Sequence, residues 1–449
     1  MHIEELTLEN YKGFELQTFR FNPGFNVIIG KNASGKTSLL DAVSIAVSDY
    51  VIGLGIINTK NKIPESAIRL KTKHGQPRPQ IPLKINAIFQ LHKERVTAYY
   101  GIRDIYYDDR KDALQNILPQ HEKNTDRLSA IASENLSDSR KVGTSVKFPI
   151  IAYYGTGRLW KAGELMPYFK QTEGIYSGYH HWHQPTASGN VFLSWFKTYE
   201  DEVNKFQQPE DILFLNVLKA AITSVIPKWT DMAFSAKDND LMGIYTDENG
   251  IINKLPFSYL SDGYRNAIGM VADIAYRCIQ LNPGLGEKVL LETEGIVLID
   301  EIDLHLHPEW QRNIVADLKR TFPRIQFIAT THSPFIVQSL SKDELIILDK
   351  DAEVGEDPWR KSVEEIATDE MQVQDMPRSS RFAEMNKLAK EYFTLLKQND
   401  NVDTLRANIN AAKQKLDYIR TYYSDDPAYV AMLEIELNKS EANATRNKD

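Results

Sequence analysis

The sequence predicts an α/β protein with a parallel-sheet core, followed by an α-helical C-terminal region. Three observations carry this. Short, almost wholly apolar runs at 25–29, 148–154, 295–299 and 325–330 suit strands buried on both faces. Stretches of helical period lie between them, and strands alternating with helices imply parallel crossovers. From about residue 361 the texture changes to helix.

The elements follow in order. Ile3, Leu6 and Leu8, then Phe14, Phe19 and Phe21, predict two strands with turns at Lys12-Gly13 and Asn22-Pro23-Gly24. The 25–29 strand runs into a helix over 37–47. Ile81, Leu83, Ile85, Ala87 and Phe89 alternate as in a half-buried strand, with a partner over 95–100. Residues 108–147 are polar and charge-rich and read as helix and loop without a clear period. Residues 161–250 give weaker signals, with helices near 190–205 and 210–226. At Ser261 the pattern sharpens, with Ile268, Val271, Ala272, Ala275 and Ile279 at helical spacing. A helix over 308–319 separates the 295–299 and 325–330 strands, and 344–348 is a further strand. Phe382, Met385, Leu388, Tyr392 and Leu395 then form one stripe. Leu405, Ile409, Ala412, Leu416, Ile419 and Tyr423 step by four and three, as in a packed helical seam. Asn399-Asp400-Asn401 is the expected turn between them, and the residues after 438 read as a frayed end.

Composition narrows the class. The 449 residues carry 53 basic and 61 acidic side chains, a net charge of −8, which argues against a uniformly basic DNA-coating protein but leaves room for a local basic groove. No run approaches the roughly 18–20 apolar residues needed to cross a bilayer. Met1-His2-Ile3-Glu4-Glu5 does not read as a signal peptide. A single cysteine, Cys278, leaves no internal disulfide and no cysteine-based zinc site. A cytoplasmic protein is expected.

The strongest local signal is Gly30-Lys31-Asn32-Ala33-Ser34-Gly35-Lys36-Thr37, the Walker A spacing, set between a buried strand and a helix. Its glycines let backbone N–H groups wrap phosphate oxygens, and the helix N-terminus adds partial positive charge. The expected ATP-binding set is Gly30, Asn32, Ser34, Gly35, Lys36, Thr37 and Ser38. Within it Lys36 neutralises phosphate charge and the Thr37 hydroxyl ligates Mg²⁺. The 295–299 strand ends in Asp300-Glu301: Asp300 suits a Mg²⁺ role and Glu301 the polarising of a water. The 325–330 strand runs into His332-Ser333-Pro334, which places a histidine at a strand end. Ser261 is a good N-cap for the helix opening Leu260-Ser261-Asp262-Gly263-Tyr264, whose first amides suit an anion.

In this order the motifs resemble the ABC-type ATPases, in the branch of soluble RecF/SMC-like and OLD-type enzymes. Tyr153-Tyr154-Gly155-Thr156-Gly157-Arg158, Leu260-Ser261-Asp262-Gly263-Tyr264-Arg265-Asn266 and Ile299-Asp300-Glu301-Ile302-Asp303-Leu304-His305-Leu306-His307-Pro308 are similar to the PtuA-type ATPases of Septu and retron-associated anti-phage systems. The resemblance implies an ABC-ATPase head over 1–350, with an antiparallel β subdomain and a helical signature subdomain, and an insertion at about 100–255. Residues 351–449 are then a helical region for partner docking or oligomerisation. It also implies a homodimer or higher homo-oligomer, closing head to tail around ATP and Mg²⁺. Ser261, Asp262 and Gly263 would face the nucleotide in trans, Glu301 would be the catalytic base and His332 the switch histidine, with Lys36 completing the catalytic set. The implied partner is an HNH endonuclease encoded nearby, with DNA contacted directly or through it, and no membrane. Against the transporter-type pattern, Asp262 replaces a glycine, His307 takes the place of the D-loop aspartate, and neither Gln90 nor Arg158 is a clear Q-loop residue.

Weaker features remain. Lys60, Lys62, Arg69, Lys71, Lys73, Arg78 and Lys84 face one acid, Glu65, on a proline-interleaved segment: a solvated ribbon, or a phosphate-backbone contact. His180, His181 and His183 surround Trp182 without a carboxylate pair, so Trp182 reads as an anchor for a loop or a partner rather than part of a metal site. Asp349-Lys350-Asp351 is similar to the acidic pair of TOPRIM nucleases, but helices follow it, so no nuclease is expected in this chain. The expected function is an ATP-dependent sensor and scaffold of a defence complex. The alternatives are a RecF/SMC-like DNA-repair ATPase and, last, a transporter ATPase subunit.

Overall fold

The computed structural model describes residues 1–56, 65–73, 76–91, 94–107, 117–124, 126–141, 146–159, 175–183, 189–226, 229–247, 249–348, 356–371, 380–397, 402–422, 432–435 and 437–438. Lys60, Lys62, Asp349-Lys350-Asp351, Asn399-Asp400-Asn401, Tyr423 and the end after 438 lie outside them. The chain forms two compact units, Met1–Gln372 and Val373–Asp449.

The first unit holds fifteen described strands: β1 (His2–Tyr11), β2 (Phe14–Arg20), β3 (Phe25–Ile29), β4 (Leu70–Lys73), β5 (Gln76–Pro79), β6 (Leu83–Leu91), β7 (Glu94–Tyr107) and β8 (Ile117–Asn124), then β9 (Ile150–Tyr154), β10 (Trp229–Ser235), β11 (Asp240–Thr246), β12 (Ile252–Pro256), β13 (Gly295–Ile299), β14 (Ile325–Thr330) and β15 (Leu345–Ile347). The apolar runs assemble as expected into an all-parallel sheet in the order β15-β3-β14-β13-β9. Every residue of β3, β9, β13 and β14 is buried, which is why these strands are continuous rather than alternating. With β14 between β3 and β13, the segments that follow Ile29, Thr330 and Ile299 emerge side by side at one edge of the sheet.

A second sheet, β2-β1-β6-β7-β8, is antiparallel where described and alternates in burial, clearly so along β6. The Gln326 side chain locks it to the core by donating to the carbonyls of Ile3 and Asn22 and accepting from the Ile3 amide at 2.8 Å. The Lys36–Gly53 helix, longer than the expected 37–47, is buried along most of its length between the two sheets.

Three expectations are corrected. Within 108–147, read as helix and loop, Ile117–Asn124 is a strand paired to β7. Its sequence has no alternation, so the long-range partner imposes the conformation. Residues 229–256, which begin inside the weakly patterned stretch and run just past it, form the antiparallel sheet β10-β11-β12. A Cβ at Gly243 of β11 would lie 1.8 Å from the Trp229 indole, so this sheet depends on one long-range aromatic contact. The single helix over 308–319 is two, Pro308–Gln311 and Ile314–Thr321. Asn313 N–H bonds back to Trp310 by a three-residue step, and Trp310 is pinned by the Tyr264 ring at 4.1 Å.

In the second unit, helices Ser380–Lys397 and Val402–Tyr422 pack together around Tyr392, Leu396, Ile409, Ala412, Leu416 and Ile419. Leu433 closes that core, and its carbonyl accepts from the Tyr392 hydroxyl at 2.6 Å.

Candidate functional site

The loop after β3 is shaped for close backbone approach. The Ser34 amide turns back to the Lys31 carbonyl at 3.1 Å, and Ala33 and Gly35 take left-handed conformations at φ 65° and 104°. A Cβ at Gly35 would lie 2.8 Å from the Phe14 ring, so glycine is required there on both counts. Lys36 opens the helix and donates from Nζ to the carbonyls of Gly30 at 2.9 Å and Lys31 at 3.1 Å, laying its charge across the loop. The adjacent Thr37 hydroxyl donates to Asp300 Oδ2 at 3.0 Å.

Asp300, at the end of β13, is 5% exposed. Its Oδ1 accepts from the Thr330 hydroxyl at 2.6 Å, and that hydroxyl accepts from the Glu301 amide at 2.7 Å. Glu301 itself stands in the left-handed region at φ 50°, a conformation that costs a non-glycine residue about 1–2 kcal/mol. The Thr330 hydroxyl and carbonyl hold it there, the latter accepting from the Ile302 amide at 2.9 Å. Asp303 accepts from the Thr331 hydroxyl at 2.6 Å and the His332 amide at 3.4 Å, which joins the His332 turn to the Glu301 loop and leaves the His332 side chain exposed. Gly30, Asn32, Ser34, Gly35, Lys36, Thr37, Ser38, Asp300, Glu301 and His332 thus occupy one edge of the sheet.

Ser261, Asp262 and Gly263 sit differently. Ser261 is exposed and caps the Asp262–Leu281 helix, accepting from the Tyr264 amide at 3.5 Å. Gly263 is buried, and a Cβ there would lie 2.0 Å from the His305 carbonyl oxygen. The signature turn therefore rests on the loop that follows Asp300-Glu301, and its contacts run to residues 305–310 rather than to the loop 30–37. His307 caps the short helix after it, its Nδ1 accepting from the Glu309 amide at 3.4 Å.

Sequence reasoning missed several residues. Thr330 carried no signal beyond being a hydroxyl at the end of an apolar strand. Lys12, read as a turn residue, pairs with Asp41 at 2.6 Å, and Tyr153 donates to the other Asp41 oxygen at 3.1 Å. Burial, with Asp41 and Asp300 nearby, holds the Tyr153 phenol protonated well above its usual range. The signal was present, since Asp41 lies one helical turn beyond Thr37. Deeper in, the Tyr154 hydroxyl donates to Asp273 at 2.6 Å, Arg277 Nε donates to the same oxygen at 2.8 Å, and Arg277 also reaches the Gly178 and His180 carbonyls. This buried network ties the signature helix to β9.

Gln90 pairs in register with His2, at the end of the sheet where the N-terminal ammonium meets Glu294 at 2.9 Å ahead of β13, away from the loop 30–37. Arg158 lies in the short turn Thr156–Leu159 that leaves β9 at the site's own edge. Trp182 is 2% exposed, and its carbonyl accepts from the Tyr153 amide at 2.7 Å, so it anchors a loop rather than meeting a partner.

The chemistry of this edge fits a nucleotide and a hard divalent cation. A glycine-shaped loop, a lysine and a helix N-terminus suit a polyphosphate. The Thr37 hydroxyl and Asp300 carboxylate are oxygen donors of the kind Mg²⁺ takes. Comparison with known proteins agrees. Residues 25–338 match the family described as AAA domain, putative AbiEii toxin, Type IV TA system. The chain belongs to that AAA family. It is similar to the retron Vc95 probable ATPase of Vibrio cholerae serotype O1 biovar El Tor, 26% identical over 400 residues that cover 78% of this chain and 74% of that protein. It is also similar to the Septu protein PtuA of Bacillus thuringiensis, 40% identical over 166 residues, covering 33% of this chain and 39% of that protein. Among solved structures, the SMC head domain from Thermotoga maritima aligns at a TM-score of 0.38 and 14% identity, over 77% of this chain and 94% of that one. No helix among the described residues is long and apolar enough to cross a membrane.

Proposed function

We propose that the chain is the ATP-binding and ATP-hydrolysing subunit of a prokaryotic anti-phage defence complex, closing head to tail with a second copy and regulating a separate HNH-type nuclease. The carrying observation is the continuous hydrogen-bonded chain Thr37–Asp300–Thr330–Glu301, which draws the phosphate loop, the carboxylate pair and the β14 end into one unit. In this reading residues 30–38 hold the triphosphate by backbone amides, and Lys36 exchanges its two loop carbonyls for phosphate oxygens. Thr37 and Asp300 hold Mg²⁺, which when bound neutralises charge on the phosphates. Glu301, held by its anchored left-handed backbone, takes a proton from the attacking water, and His332 faces the terminal phosphate. Ser261, exposed at the start of the Asp262–Leu281 helix, and the Gly263 backbone beside the His305 loop serve the partner's nucleotide. The similarity to retron and Septu ATPases supports the defence setting.

Glu301→Gln tests this reading. Chemistry stalls while both phosphate cradles remain, so the variant with ATP and Mg²⁺ is expected to double in mass by light scattering and to return to the protomer mass when Mg²⁺ is chelated. Tight ATP binding without any change in association would show the head-to-tail reading to be wrong.

A further inference from the structure

The ribbon of β4 and β5 is a two-stranded sheet of its own, part of neither the parallel sheet nor the β2-β1-β6-β7-β8 sheet. Its register places Lys71 directly opposite Arg78, and both are exposed. The surrounding cations are neutralised: Arg69 by Glu15 at 2.7 Å, Lys84 by Glu9 at 2.8 Å and Lys12 by Asp41 at 2.6 Å. No carboxylate among the described residues pairs with Lys71 or Arg78. Like charges directly opposite on a ladder destabilise it. Nothing described within the chain offsets that repulsion, whereas an external anion spanning both residues would.

Two features narrow the partner. The ribbon is rooted: Arg69 N–H donates to Asn10 O at 3.0 Å, Gln80 N–H to Arg69 O at 2.8 Å, Lys12 N–H to Ala67 O at 2.6 Å, and Asn10 Nδ2 to Pro82 O at 2.9 Å. The two cations are thus presented at a set spacing rather than on a loose loop. Pro77 and Pro79 also deprive β5 of two N–H donors, so its outer edge cannot extend the sheet with an added strand. A partner reads this prong through its charge. A rooted two-stranded ribbon is of a width that enters the major groove, where its flanking cations reach backbone phosphates. In a chain of net charge −8, such a prong is a local concentration of positive charge. We infer that the β4–β5 ribbon is a contact surface for double-stranded nucleic acid, with Lys71 and Arg78 each neutralising one backbone phosphate.

The test is fluorescence anisotropy of the full chain with a labelled 30-base-pair duplex, without nucleotide, from 50 to 200 mM salt. Removing two phosphate contacts in Lys71→Gln/Arg78→Gln lowers the slope of log affinity against log salt by about 1.8, so the wild type loses ~12-fold more affinity than the variant across that range. Arg78→Gln alone lowers the slope by about 0.9 and serves if the double variant does not fold. Basal ATP hydrolysis is expected to be unchanged. Equal slopes and affinities overturn the inference, as does a wild type that fails to bind duplex at 50 mM salt. Displacement of the duplex by poly-glutamate at lower charge concentration also overturns it, in favour of an acidic protein partner. The measurement uses no ATP, so its result is independent of the Glu301→Gln test.

Discussion

Thr330 is the least conspicuous residue of the site and carries the sharpest prediction. Its hydroxyl is fully buried, donates to Asp300 Oδ1 at 2.6 Å and accepts from the Glu301 amide at 2.7 Å. Thr330→Val keeps the shape and removes both bonds. A hydrogen bond to a charged group contributes about 1.5–3 kcal/mol, and a buried amide left unpaired costs about 1–3 kcal/mol. Asp300 retains the Thr37 hydroxyl, so the loss is set near the lower sum, about 2.5 kcal/mol. Spread over the 372 residues of the first unit, at an unfolding entropy of about 2.1 cal/mol/K per residue, this is a fall of about 3 °C in Tm. Catalysis should suffer separately. Without its anchor the left-handed turn at Glu301 relaxes, and a misplaced base is expected to lower kcat by about 10- to 100-fold, with a smaller effect on KM for ATP. Thr330→Ser retains both bonds and should restore kcat to within about twofold. Steady-state ATPase assays and thermal melts of the three proteins decide the matter. Wild-type kcat and Tm in Thr330→Val would refute the positioning role.

Two further outcomes follow from packing and burial. Gly263→Ala pushes a Cβ to 2.0 Å from the His305 carbonyl and should cost about 1–3 kcal/mol, seen as a lower Tm with reduced ATPase but intact ATP binding; an unchanged Tm would contradict the close approach. Burial pushes the Cys278 thiol and the Tyr276 phenol up to about 12 and raises Tyr154 and Tyr179 above their usual range. The folded chain keeps protons that the unfolded chain loses from about pH 9, so this stability is full below pH 9 and is lost as pH rises toward 12. Thermal melts should be flat from pH 7 to 9 and fall steeply by pH 11, and a flat profile to pH 11 would contradict the burial of these groups.

The core of this protein was legible because its central parallel strands are almost wholly apolar, and the phosphate loop, Asp300-Glu301 and His332 all follow such strands. The Asp262–Leu281 helix was legible from its one-sided apolar spacing. What stayed hidden depends on distant partners. Ile117–Asn124 becomes a strand only against β7, and β10–β12 depend on Trp229 covering Gly243. The break at Arg312-Asn313 is marked by Asn313 N–H bonding back to Trp310, whose ring packs on Tyr264, far away in sequence. Within the site, residue types that match a motif were visible, whereas Thr330, Asp41 and Arg277 act through geometry: one joins two strand ends, one faces Tyr153 and Lys12, and one fastens a helix to β9. The left-handed backbone of Glu301 has no sequence signature at all, since glutamate seldom adopts it.

The central claim is that the loop 30–37, with Lys36 laid across its carbonyls, is the nucleotide site. Isothermal titration of ATP with Mg²⁺ into wild type and Lys36→Ala tests it most directly. Tight binding by wild type and a loss of at least about 100-fold in Lys36→Ala, about 2.7 kcal/mol, is the predicted result. Equal affinity in the two proteins would contradict it.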